Sequence, residues 1–162
     1  MQGDQNCYES HEWNWQLYTK TGNQRMQANL YQEAQQAYQQ AVDLAKSLLS
    51  QAKHTATHPD AIHVYVVSCH NLADCFLAMG DARQAEAILQ QAYTEIIDTM
   101  NQSSFSKDLR FEALKALKIA SCEMHSFYQQ QNQLTSANKV MQDAIASAKV
   151  FLAQFQIQQI YP

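Results

Sequence analysis

The side chains of this sequence best suited to chemistry are its thiols and imidazoles. Cys69, His70 and Cys75 fall within seven positions, and Cys122 and His125 stand three apart further on. A thiolate beside an imidazole is the pairing that activates a nucleophile, and the same two side chains hold zinc. Residues three apart share a helical face, so Cys122 and His125 project together, whereas Cys69 and Cys75 point in different directions. The spacings that mark such sites, Cys-x-x-Cys and His-Glu-x-x-His, do not occur. A buried cysteine serves equally as a small apolar residue. No catalytic residue, metal ligand or cofactor is therefore assigned. A metal- or thiol-dependent protein built on Cys122 and His125 stays open as the alternative from another class.

Other enzymatic signatures are missing as well. Three glycines cannot build a loop that cradles phosphate. The carboxylates are scattered along helical stretches as solvated charges. Trp13 and Trp15, two apart, face different sides of a helix and are expected to pack against the first hairpin rather than stack on a ligand.

The elements that must position these residues are helical. Only 3 Gly and 2 Pro in 162 residues leave little room for the turns of an all-β fold, and the abundant Gln and Ala tolerate helix well. A hydrophobic content of 46% and this length suit a single all-α domain over residues 1–162. The net charge of −4, with no run of basic residues, argues against nucleic acid or an anionic membrane as the main partner. No apolar stretch approaches the ~20 residues of a membrane span. The N-terminus lacks the basic and apolar regions of a signal peptide. A cytoplasmic protein is expected, with Cys7, Cys69, Cys75 and Cys122 as reduced thiols.

A pattern of alanine, a large residue four on and alanine three further recurs at Ala34-Tyr38-Ala41, Ala85-Leu89-Ala92 and Ala137-Met141-Ala144. The copies stand 51 and 52 positions apart, which marks an internal repeat. The periodicity predicts six helices in three hairpins, with repeats near 10–53, 58–102 and 106–160. The first helix is expected from about Ser10 to Ala28 and the second from Leu30. The third starts with Pro59 in its first turn and a Thr57–Asp60 capping box, and stops at Gly80 as a left-handed cap. The fourth runs through Met100, the fifth from Ser106 to Gln131 and the sixth from Leu134 to Ile160.

The segment from Asn71 to Ala92 resembles the tetratricopeptide repeat, on Leu72, Ala73, Phe76, Gly80, Ala85, Leu89 and Ala92. His58-Pro59-Asp60 and Asn71-Leu72-Ala73 look like the long-repeat, kinesin-light-chain type. The run from Ser68 to Asp74 is also similar to small, uncharacterised bacterial tetratricopeptide-like proteins. The first repeat keeps Tyr18, Gly22, Ala34, Tyr38 and Ala41, and the third keeps Tyr128, Ala137, Met141 and Ala144. The third departs at His125, where Gly22 and Ala73 stand in the others. The resemblance implies a right-handed α-solenoid of three extended hairpins, whose first helices line a concave groove. The family period is about 34 residues. The longer period here adds roughly two turns, or ~12 Å, to each helix.

That registration puts Val67, His70, Asp74 and Leu77 on the groove stripe of the third helix, with Asn71 beside it. It puts Thr19, Asn23 and Met26 on the first helix, and Ile119, Cys122, Ser126 and Gln129 on the fifth. A mixed polar and apolar lining suits an extended peptide or a helix. The resemblance thus implies a non-enzymatic scaffold for a peptide or partner protein, or a chaperone-like binder of an exported protein. A clamp for a C-terminal carboxylate is excluded. Its aligned places hold Thr19, Asn23, Asn71, Ile119 and Glu123, with asparagines present and every cation missing. Phe151, Phe155 and Ile160 give the last helix an apolar surface where solenoids normally carry a polar cap, so a homodimer through that helix is expected.

Overall fold

The computed structural model describes residues 2–158, and the side chains of residues 7–155. It holds six helices: α1 (Gln2–Gln27), α2 (Tyr31–Thr55), α3 (Ala61–Ala78), α4 (Ala82–Asn101), α5 (Lys107–Gln130) and α6 (Leu134–Gln158). Each successive pair is packed together, α3 also lies against α5, and α4 touches α6. The result is an all-α stack of three hairpins, the plan that the tetratricopeptide resemblance implies.

The three hairpins turn by one device. Asn29, Gly80 and Asn132 each sit just past the end of a helix at positive φ (58°, 80° and 56°). Their N–H groups donate to Met26, Leu77 and Gln129 oxygens, each at 3.0 Å. The next N–H groups reach one residue further back: Leu30 to Arg25, Asp81 to Phe76 and Gln133 to Tyr128. This paired pattern satisfies the last carbonyls of each first helix. Glycine enters the left-handed region freely and asparagine is the next most tolerant residue, so two of the three turns form without glycine.

A reversal this tight brings the helices into contact immediately, and small residues fill the crossing. Ala34, Ala41, Ala85, Ala92, Ala137 and Ala144 are all buried, as are Tyr38 and Leu89 between them. Met141 is only half-buried, as is His125 at the position equivalent to Gly22. At Gly22 there is no space at all: an added Cβ would land on the Tyr38 ring carbons. That ring is pinned, because its hydroxyl donates to Asn23 Oδ1 at 2.7 Å.

Two boundaries differ from the sequence expectation. Helix α1 begins well before Ser10, because Tyr8 is buried and stacks on His58 with ring centroids 3.7 Å apart. Helix α3 starts after Pro59 rather than with it, and its N-cap Asp60 makes no side-chain capping bond. Ala56 and His58 take positive φ (55° and 53°), so the loop folds back over α1 and the Thr57–Asp60 capping box does not form. The caps at Asp81 and Ser106 do form, accepting from the N–H groups of Gln84 and Leu109.

Helix α3 is the most apolar helix. By length and composition its 18 residues could cross a membrane, but 56% of that window is buried against its neighbours, as in the central helix of a packed core. Helix α6 is held on α5 by a cluster of Phe111, Phe151 and Phe155, with ring centroids 5.0 to 5.3 Å apart. Arg110 runs beneath it. Its Nε donates to the Met100 carbonyl at 2.9 Å, and its guanidinium lies 5.2 Å from the Phe151 ring centre. A cation at the last turn of α4 meets the negative end of that helix.

This corrects the expected self-association surface. Phe151 is fully buried and Phe155 half-buried, because both rings are consumed by α5; Ile160 lies outside the described residues. Among the described residues, the exposed large apolar side chains of α6 are instead Leu134, Ile145, Val150 and Leu152.

The Gly22–Tyr38 contact yields a sign test. Gly22→Ala should destabilise the protein in urea denaturation, because overpacking costs ~1–3 kcal/mol. In a Tyr38→Leu background the same change should stabilise, by the roughly 1 kcal/mol that alanine gains over glycine within a helix.

Candidate functional site

Because the hairpins repeat, their first helices present equivalent positions: Thr19, His70 and Cys122 form one set, and Asn23, Asp74 and Ser126 another. Helix α3 lies directly against α5. Helix α1 is tied to α3 by Trp15, whose Nε1 donates to Ser68 Oγ at 2.7 Å. Trp13 is exposed rather than packed on its own hairpin, since it lies two residues round the helix from Trp15.

The α3–α5 face carries three features in order along the helices. At its start, His63 Nε2 lies 2.8 Å from Glu112 Oε2, and Lys115 bonds the other carboxylate oxygen. Lys115 and, less strongly, His63 hold the Glu112 carboxyl below the usual range. One turn on, Val67 and Ile119 stand at equivalent positions, 45% and 44% exposed. Beyond them lies a cleft of about 60 Å³ between the helices. His70, Asp74, Glu123, Ser126 and Gln130 supply its polar wall, and Leu77, Leu89 and Phe127 its apolar one.

The electrostatics of the cleft follow from burial and like charge. Burial lowers the His70 pKa, against an opposing pull from Asp74, so the ring is neutral near pH 7. Its Nε2 is fully buried and has no hydrogen-bond partner. Burial raises the Asp74 carboxyl and the nearby Glu123 charge raises it further, with a smaller opposing effect from His70.

The structure thus brings His70, Asp74, Leu77 and Ser126 together, and leaves other groove candidates apart. Cys122 is exposed and does not face His70, because α5 turns Glu123, Ser126 and Phe127 toward that ring instead. Gln129 is exposed outside the cleft, and Asn71 is half-buried beside the stripe. On α1, the Asn23 carbonyl oxygen accepts from Tyr38, Met26 packs on the core, and Thr19 Oγ1 is buried without a partner. Sequence reasoning missed the His63–Glu112 bridge. Its partners lie 49 positions apart rather than at the repeat spacing, so registration does not find it.

The thiols divide by burial. Cys69 is buried and its pKa is pushed up to about 12, which leaves essentially no thiolate at neutral pH. Cys75 is buried and donates to the Tyr31 carbonyl at 3.3 Å. No hydrogen bond joins the exposed Cys122 to His125. Among the described residues no group of three or more His, Cys, Asp and Glu side chains gathers as a metal site.

A family described as "Protein of unknown function (DUF2753)" matches residues 13–158. No curated protein matches the chain. The crystal structure of MamA protein is similar over 84% of this chain and 92% of that one, at 14% identity and a TM-score of 0.19. A likeness that loose carries no argument.

The cleft predicts opposite pH effects from its two titrating residues. A histidine whose folded pKa is depressed favours the fold above its unfolded value of 6.5, and that contribution is lost as pH falls through the folded pKa. Asp74 is raised, so its contribution is complete below 3.8 and is lost as pH rises through the folded value. Thermal melts from about pH 7.5 to 5.5 should show His70→Asn losing less stability than the parent protein. Asp74→Asn should melt higher than the parent at neutral pH.

Proposed function

The chain belongs to the DUF2753 family, and we propose that it is a protein-interaction scaffold, without catalytic activity, that holds a peptide or partner segment along the α3–α5 face. The observation that carries this reading is the matched exposure of Val67 and Ile119. Single exposed apolar residues are ordinary on a protein surface. Here two stand at one register of adjacent helices, with the His63–Glu112 bridge on one side and the polar cleft on the other. Covering the exposed half of such a side chain under a partner contributes about 1 kcal/mol. The flanking polar groups supply orientation.

Other features support the reading. Burial keeps Cys69 protonated, which disfavours thiol catalysis there. Helices of 18 to 26 residues support a long-repeat subtype. Four cysteines with no disulfide among them support a cytoplasmic setting. The exposed Ile145, Val150 and Leu152 of α6 support a homodimer through that helix.

Peptides selected against the purified protein by display test the scaffold. Val67→Glu and Ile119→Glu should each weaken the selected peptides at least ~10-fold, about 1.4 kcal/mol, while Arg83→Glu, on an exposed position of α4, should leave them bound. Equal binding by all three variants would rule out this face. Light scattering should report a dimer that Ile145→Glu and Leu152→Glu dissociate; a monomeric parent protein would remove the homodimer from the proposal.

A further inference from the structure

We infer that the open end of the stack, the face of α5 and α6 turned away from the second hairpin, docks an acidic amphipathic helix of a partner protein, laid where a fourth hairpin would begin. This goes beyond the scaffold reading, which concerns the α3–α5 face, and does not depend on it.

The repeat defines the face. Helix α3 turns His63, His70, Asp74 and Leu77 toward α5. The positions 52 residues further on, in α5, hold Lys115, Cys122, Ser126 and Gln129, and all four are exposed. On α4, which packs against α5, Leu89 and Met100 are buried, and Tyr93 and Ile97 lie half-buried on the core. Their equivalents on α6 are Met141, Leu152, Ile145 and Lys149. Met141 is half-buried, while Ile145 and Leu152 are 52% and 42% exposed. The surface that receives the third hairpin is thus repeated by that hairpin, and nothing among the described residues covers the copy. What the second hairpin receives there is a helix, α5, so a helix is the shape that fits the copy. Its apolar seam lies on Met141, Ile145 and Leu152.

Charge selects the helix. The first 102 residues carry 5 lysines and arginines against 11 carboxylates, and the last 60 carry 6 against 4, so a chain of net charge −4 divides into −6 and +2. Part of that excess lies on the open end. Lys118 stands where α3 has the buried Val66, and Lys149 stands one turn beyond Ile145. Both lysines are exposed, and among the described residues neither has an ion-pair partner. The hairpin's own carboxylates do not answer them. Glu112 and Asp143 are paired with Lys115 and Lys139, Glu123 borders the α3–α5 cleft, and Asp108 occupies the first turn of α5. A seam flanked by glutamate or aspartate pairs both lysines, which the identical face of a second copy cannot do. Both occupants claim Ile145 and Leu152, so the helix and a homodimer through α6 exclude each other.

The test uses the whole chain with Cys7→Ser, which leaves Cys122 as the exposed thiol, Cys69 and Cys75 being buried. A displayed library of helices of about 18 residues, with leucine along one seam and Glu, Gln or Lys at each flanking position, is selected on it. The selected helices should be enriched in Glu at the flanks. They should slow alkylation of Cys122 by iodoacetamide at least ~10-fold, and should bind Ile145→Glu at least ~10-fold more weakly. Lys118→Glu/Lys149→Glu, changed only at exposed positions, should select Lys flanks instead. The same flank composition from both proteins, unslowed alkylation, or indifference to Ile145→Glu would each overturn the inference. A dimer that persists in light scattering at saturating helix, with Cys122 protected by protein concentration alone, would give the face to a second copy. Equal protection of Cys122 by anionic lipid vesicles would give it to a membrane. Either result overturns the helix. Val67→Glu should leave the selected helices bound; their release would place them on the α3–α5 face, and the inference would fail while the scaffold reading stands.

Discussion

The constraint on which this structure depends is the three-residue reversal repeated at Asn29, Gly80 and Asn132. A left-handed residue at each position ends one helix, satisfies its last carbonyls and starts the next helix almost at once. The two helices must then touch within a turn of the reversal. Only small side chains let backbones approach that closely, which is why Ala34, Ala85 and Ala137 follow the three turns and are buried. The large residue between each alanine pair fills the angle that opens further along the hairpin.

From that geometry the position of the α3–α5 face follows. Equal hairpins stack with equivalent helices side by side, so a residue on one first helix meets the matching surface of the next. His70 is covered in this way by α5. Cys122, its equivalent, is exposed, because among the described residues nothing packs on that side of α5. One repeat position thus becomes a buried imidazole in one hairpin and an open thiol in the next. The same stacking buries Cys69 and Cys75 and turns two apparent nucleophiles into protonated filler.

Arg110 and Tyr8 show how the ends of the stack are closed. Arg110 joins the last turn of α4 to the aromatic cluster that seats α6, and Tyr8 joins the first helix to the loop before α3. Neither follows the repeat period, and neither stands out in the sequence. An arginine on a helix reads as a solvated charge, and a tyrosine near an N-terminus reads as part of a frayed end. Phe151 illustrates the reverse error. Its place in an apolar run near the end of the chain suggested an exposed surface, but the aromatic neighbours that bury it come from a helix some forty residues earlier.

The sequence alone determined the helices, their pairing and the repeat, because these rest on local periodicity, small-residue spacing and turn chemistry. It also put His70, Asp74 and Leu77 on one stripe, since three- and four-residue steps keep side chains on one helical face. Only the tertiary structure decided which of those residues share a cleft, that Glu123 stands beside Asp74 while Cys122 turns away, and that Val67 and Ile119 remain uncovered. Those outcomes depend on the rotation of one helix against another. A rotation of a few tens of degrees exchanges the residues at such an interface without altering the periodicity that the sequence records.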